Sequence, residues 1–128
     1  MKLLLDTHAF IWWDSKPAKL SSQVLALCQD RTNIGLLSVA SLWGMQIKLQ
    51  FGKLKLKLPL AELVESQQQT NNIEVLPIIL GHVLALQDLP AHHKGRFDRL
   101  LIAQANAEGA TLVSSDPIFA KYPVKLLW

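Results

Sequence analysis

Short apolar runs alternate along this chain with longer stretches whose apolar residues recur every three or four positions. Leu3-Leu4-Leu5 reads as a short buried strand. LSSQVLALCQD (20–30) follows as a helix capped by Ser21 or Ser22, with Val24, Leu25, Leu27 and Cys28 on its apolar side. Ile34 to Leu37 is a second strand, after which Ser38 can cap a helix through VASLWGMQIKLQ that ends near Gly52. Pro59 stands in the first turn of the next helix, LAELVESQQQ, which fades into a polar loop at Thr70-Asn71-Asn72. IEVLPI (73–78) is a third strand, and Gly81 to Leu89 a short helix closed by Pro90. After the loop AHHKGR comes the apolar helix FDRLLIAQANAE, stopped by Gly109. TLVSS (111–115) is a fourth strand, Pro117 to Tyr122 a short helical turn, and VKLLW a terminal fifth strand. This alternation predicts an α/β fold: a mostly parallel sheet of four to five strands covered on both faces.

Length adds that the 128 residues make one domain, 1–128, large enough for a real core, with no repeat or linker. No apolar run reaches the roughly eighteen residues that span a bilayer. The N-terminal run is cut at Asp6 after three leucines, too short for a signal-peptide core, so the expectation is a cytoplasmic protein. The lone Cys28 has no internal disulfide partner and reads as a small buried hydrophobe in a reducing compartment. Thirteen basic against ten acidic residues give a net charge of +3, which suits a polyanionic partner without requiring one. Local charge says more. Lys48, Lys53, Lys55 and Lys57 fall in one acid-free stretch, which either tracks a phosphate backbone or is a solvated connection.

Three acidic residues stand where the chain leaves an apolar element: Asp6 after the leucines, Asp98 opening FDRLLIAQA, and Asp116 after TLVSS. In open α/β sheets such ends face the crevice that binds ligands. Carboxylates brought together there repel one another unless a divalent cation holds them. Each also has a purely structural reading: Asp6 as a cap on a nearby turn, Asp98 as a first-turn helix residue, Asp116 as a turn residue before Pro117. His8 can approach the same place, and His92 and His93 precede Asp98, but one Cys with scattered His is poor support for zinc. Ser38, Ser41, Ser114 and Ser115 read as caps and turns, with no Ser-His-Asp order. Arg96 and Arg99 flank Asp98 and either contact phosphate or form surface ion pairs. Trp43 is expected on the apolar side of its helix, and of the adjacent Trp12 and Trp13 one is expected to be partly exposed at a protein interface. A phosphotransfer domain also begins with a strand-end Asp. Here the second Asp of the phosphatase pattern is replaced by His8, and no GxxxxGK[ST] loop appears.

LLDTHAFIWW, SVASLWGMQIKLQFGKLKLKLPL, LPAHHKGRFDRLLIAQA and TLVSSDPIFAKYPVKLLW, in this order, resemble PIN-domain ribonucleases, specifically the VapC-type toxins of toxin–antitoxin systems. The likeness runs from Leu3 to Trp128. It implies a Rossmann-like α/β/α sandwich whose acidic pocket holds Mg²⁺ or Mn²⁺ and an endonuclease that hydrolyses RNA. It further implies a prokaryotic cytoplasmic setting, a homodimer and a cognate antitoxin that covers the crevice. By position, Asp6 and Asp98 match direct metal ligands and catalytic residues. Asp116 matches a further ligand or a water-mediated partner, and Arg96, Arg99, Lys48 and Lys53 become candidate RNA contacts. The chain departs from this pattern twice: Gly44 stands where the family has Glu, and Gly95 where it has Asp. Three accounts are open: a natural variant with lost catalysis, a slow enzyme working with three aspartates, or residues altered from the acidic ones. Weaker metal binding and a more stable metal-free fold are expected relative to a form with Glu at 44 and Asp at 95. The rival reading is a non-catalytic PIN-fold protein that binds antitoxin or RNA.

Overall fold

The computed structural model describes residues 1–90 and 95–128. Five strands form one parallel sheet: β1 (Lys2–Leu5), β2 (Ile34–Ser38), β3 (Glu74–Leu76), β4 (Thr111–Val113) and β5 (Leu126–Leu127), in the order β3-β2-β1-β4-β5. The chain builds outward from β1 on one side, then crosses to build β4 and β5 on the other. The order therefore reverses beside β1, and the carboxyl ends of β1 and β4 flank the opening where such sheets place ligands.

Alternation along each strand divides the core into two. Leu3, Leu5, Leu37 and Val113 point to one face, covered by α1 (Thr7–Ser15), α2 (Ser22–Gln29), α3 (Val39–Gln50) and α4 (Leu60–Asn71). Leu4, Leu36 and Leu112 point to the other, covered by α6 (Arg96–Glu108) and the 3-10 turn Pro117–Lys121. A short α5 (Leu80–Ala85) precedes α6. Among the described residues no helix is long and apolar enough to cross a membrane.

The hydrophobic pattern anticipates every strand and most helices, with differences that have local causes. α1 is not announced by periodicity, because its apolar residues Ala9 to Trp13 run consecutively instead of recurring at helical spacing. It starts where the Asp6 side chain accepts the Ala9 N–H. α4 continues through Thr70 and Asn71, expected to be loop, as the Asn71 amide bonds Gln67 one turn back and Asn72 turns left-handed at φ 53°. Trp43 is 60% exposed, not on the apolar side of α3. The face that meets the core carries Ala40, Ser41 and Met45, and two residues is roughly 200° of helical rotation, so Trp43 lies nearly opposite Met45. Trp12 and Trp13 are both half-buried, packed against the first core. Cys28 is half-buried rather than buried, and burial pushes its thiol up to about 11, which makes it a poor nucleophile.

A buried polar network ties the elements around the opening together. Gln104 of α6, fully buried, accepts a hydrogen bond from the Ser38 hydroxyl, which itself caps α3 by accepting the Ala40 N–H. The Gln104 amide donates toward the Pro77 carbonyl and His82 Nδ1. The Ile79 N–H also donates to Nδ1, leaving the proton on Nε2, 3.0 Å from Glu108. Gln104→Leu leaves the Ser38 hydroxyl and the His82 ring without this partner, so urea unfolding should show a loss of about 1–3 kcal/mol. A loss below about 0.5 kcal/mol would mean that water or a rearranged neighbour satisfies both groups.

Candidate active site

Asp6, Asp98 and Asp116 come from three different elements and line one hollow of about 330 Å³. α1 contributes Thr7 and His8 to its wall, α3 contributes Ala40, Ser41, Gly44, Ile47 and Lys48, and α6 adds Phe97 and Leu101, with Phe119 beside them.

Asp6 is the first residue beyond β1, and its N–H donates to the Val113 carbonyl of β4 at 3.1 Å. Its Oδ1 accepts the Ala9 N–H at 2.8 Å, capping α1, and the Ser114 hydroxyl bonds the same carboxylate. The residue is only 8% exposed. Burial pushes its pKa above the ordinary 3.8. The Ser114 bond, the Ala9 N–H and the charge of His8 oppose that rise, while neighbouring Asp98 adds to it. Asp98 is half-buried in the first turn of α6, where its charge suits the helix dipole. Asp116 is exposed. Its Oδ1 accepts the Ile118 N–H at 3.0 Å and caps the following turn, while its own N–H donates to Ser114 Oγ. Asp6 and Asp116 each cap a helical turn, Asp98 lies in the first turn of α6, and all three line the hollow.

Their approach is incomplete. Among the described residues no three His, Cys, Asp or Glu side chains stand together closely enough to enclose an ion. Asp6 and Asp98 feel each other's charge, whereas the exposed Asp116 keeps one oxygen in its own turn. The donor chemistry nevertheless fits Mg²⁺, which binds through one or two hard carboxylates and keeps several waters. Ser41 Oγ is buried in the same wall with no hydrogen-bond partner among the described residues, a polar atom suited to such a water.

The two glycines differ in what they do. Gly44 has ordinary right-handed helical backbone, and among the described residues a Cβ on it would meet only Phe97 Cδ2, at 3.9 Å. Neither space nor backbone demands glycine there. Gly95 is the residue before α6 and caps it with no side-chain bond.

Of the candidate RNA contacts, Lys48 lines the hollow and Lys53 an adjoining one. Arg96 is exposed. Arg99 donates to the carbonyls of Pro90 at 3.1 Å and Leu86 at 3.4 Å, bonds to the main chain instead of the surface ion pair expected as its alternative. His92 and His93 lie outside the described residues. Missed from the sequence were the bond of Ser114 to Asp6 and the place of Phe97 in the wall. Parallel pairing of Leu5 with Val113 is what brings residues 6 and 114 side by side, and pairing is not visible in one sequence.

A family model of the PIN domain matches residues 3–125. A search of curated proteins finds no match. Among solved structures, the chain is similar to VapBC2 from Rickettsia felis, bound to a DNA fragment from its promoter. That likeness has a TM-score of 0.73 at 20% identity and covers 99% of this chain and 98% of that one. It is also similar to FitAcB from Neisseria gonorrhoeae, with a TM-score of 0.62 at 18% identity, covering 98% and 96%. A third likeness, to VapBC-1 from nontypeable Haemophilus influenzae, has a TM-score of 0.60 at 16% identity and covers 94% and 91%. At these identities the similarity is one of fold. The match of nearly the whole chain to the family model says more: this protein belongs to the PIN domain family.

Proposed function

We propose that this chain, as one domain over residues 1–128, is a Mg²⁺- or Mn²⁺-dependent endoribonuclease, the toxin of a VapC-type pair, working with a depleted acidic site. The observation that carries the reading is the hollow at the sheet's switch point, which three aspartates from separate elements line together. Asp6 and Asp98 would hold the ion directly, and Asp116 through a water. When bound, such an ion activates water for in-line attack and offsets charge developing on the phosphate. The protein's own part is positional. The Ala9 N–H and the Ser114 hydroxyl hold the Asp6 carboxylate in one orientation. Lys48 supplies a cation on the wall for a neighbouring phosphate. Apolar Ile47, Phe97 and Leu101 share the wall with Asp6 and limit the water that reaches its buried carboxylate.

A homodimer and an antitoxin are the partners in this reading. Apolar surface supports protein partners: exposed Ile79, Leu80, Val83 and Leu84 cluster at α5, and half-buried Leu42, Leu60 and Val64 with exposed Ala61 line a shallow groove between α3 and α4. The cellular setting proposed is the prokaryotic cytoplasm. A second reading, a non-catalytic protein that binds antitoxin or RNA, is favoured by one observation: Gly44 and Gly95 bring no carboxylate to the site.

RNA cleavage with Mg²⁺ or Mn²⁺ separates the readings. Cleavage by the parent chain that falls to background in Asp6→Asn supports the enzyme. Silence in the parent, with activity after Gly44→Glu plus Gly95→Asp, identifies a disabled toxin. Silence in both favours the binding role. The same double variant should bind Mn²⁺ about tenfold more tightly or better in calorimetry, a gain of roughly 1.4 kcal/mol, and equal affinities would contradict the site.

Proton linkage gives a test without substrate. Folding raises the Asp6 pKa, so the folded chain holds that proton more firmly than the unfolded chain. Stability contributed by this group is present below about the ordinary 3.8 and is lost as pH rises through the folded value. Asn at position 6 keeps the helix cap without the charge. Metal-free Asp6→Asn should therefore melt above the parent at neutral pH, with the difference closing in acid. A lower melting temperature at neutral pH would show that the carboxylate stabilises the fold.

A further inference from the structure

The part of the hollow's wall that α3 supplies has the reverse character of the aspartates. Ser41, Gly44 and Lys48 follow one another at intervals of three and four residues, so they share one face of the helix, and all three line the hollow. Ser41 brings a hydroxyl, Gly44 a gap and Lys48 an ammonium. The twelve residues of α3 include no carboxylate.

Two of these features are unusual for a helix interior. Ser41 is 2% exposed, and its Oγ has no hydrogen-bond partner among the described residues. It does not even bond back to a carbonyl of its own helix, the common refuge of a buried helical serine. Folding has taken a donor out of water without replacing its partner, and a ligand that accepts from it repairs that loss. Beside it, a Cβ on Gly44 would meet only Phe97 Cδ2, at 3.9 Å, among the described residues. Room for a small group therefore lies between α3 and Phe97. The ring is held by an edge contact with Trp43, with centroids 5.3 Å apart and planes at 86°. An unpaired donor, a cation and open space on one helical face make a seat for a small anion.

We propose that this face of α3 takes a small free carboxylate, of the size of formate or acetate, which shares the hollow with the divalent ion. This rests on the metal-dependent reading and adds that the ion's affinity answers to a second, soluble ligand. The carboxylate accepts the Ser41 hydroxyl, lies over Gly44 and is favoured by the charge of Lys48. Asp6 and Asp98 repel it until a cation offsets their charge. Ion and carboxylate therefore bind with positive coupling, and each tightens the other by the same factor. Carboxylate oxygens are hard donors that suit Mg²⁺ and Mn²⁺. Nitrate has formate's flat shape but is a far weaker ligand, and tetrahedral sulfate is bulkier than the gap beside Phe97 favours.

Calorimetric titration of Mn²⁺ into the chain tests this without RNA, in sodium chloride, formate, acetate, nitrate and sulfate at one ionic strength. Formate and acetate should tighten Mn²⁺ at least about fivefold relative to chloride, and nitrate and sulfate should leave it as in chloride. Free carboxylate in solution competes for Mn²⁺ and lowers its apparent affinity, so a tightening has the sign that a shared site produces. Gly44→Leu fills the gap and Ser41→Ala removes the donor, and in each the formate and chloride affinities should become equal. Gly44→Ala is the mild control for folding, since it adds one methyl at an ordinary contact distance and removes a helix-interior glycine. It should lose the effect of acetate before that of formate, and matched melting curves show that the variants compared are folded. The proposal is overturned if formate leaves the parent's affinity unchanged or weakens it. It also falls if nitrate or sulfate acts as strongly, or if Ser41→Ala and the Gly44 variants keep the parent's full response. Mn²⁺ that binds equally in every buffer sinks only the carboxylate seat. Absence of Mn²⁺ binding in all of them sinks the metal-dependent reading as well.

Discussion

Burying a carboxylate at the carboxyl end of the middle strand sets the terms for the rest of the molecule. Asp6 is nearly excluded from water, and an unpaired charge there would be costly. The fold supplies partial compensation: the Ala9 N–H at the start of α1, the Ser114 hydroxyl at the end of β4, and the charge of His8. Those partners exist only because β1 lies between β2 and β4 with α1 leaving directly from its end. Compensation remains incomplete, since burial still raises the pKa and Asp98 raises it further. A divalent ion would supply the missing positive charge.

The glycines at 44 and 95 change that balance without changing the architecture. Gly44 is in a helix interior, where glycine costs about 0.5–1 kcal/mol relative to alanine, and no close contact or backbone conformation requires it. A glutamate there would gain helix propensity but add a second charge close to a carboxylate already held against its preference. Metal-free stability then depends on which effect is larger, and Gln in place of Glu isolates the charge. The expectation of a weaker metal site is simpler, because fewer carboxylates lower the attraction for a cation whatever the helix gains.

Much of this was legible in the residues. Short apolar runs locate the strands, and Ser38, Pro59 and Gly109 mark helix ends where the structure has them. The three aspartates stand out because a charge directly after a buried run needs an explanation. Other features depend on contacts between distant segments. The Asp6–Ser114 pair follows from strand register, the Gln104–His82 network from helix packing, and the lysine-lined hollow next to the site from α1 lying beside the Lys53–Lys57 segment. α1 escaped because its start is set by a single cap and not by a pattern. Trp43 was misplaced because hydrophobicity alone does not say which side of a helix faces the core when the inward residues are small.

The account stands on one spatial claim, that Asp6 and Asp98 face a common position able to hold a divalent cation. Anomalous diffraction from crystals grown with Mn²⁺ reads that position directly. The account predicts a single strong peak in the hollow, beside the carboxylates of Asp6 and Asp98. A peak elsewhere on the protein, or none at saturating Mn²⁺ with the two carboxylates turned to different surfaces, would contradict it.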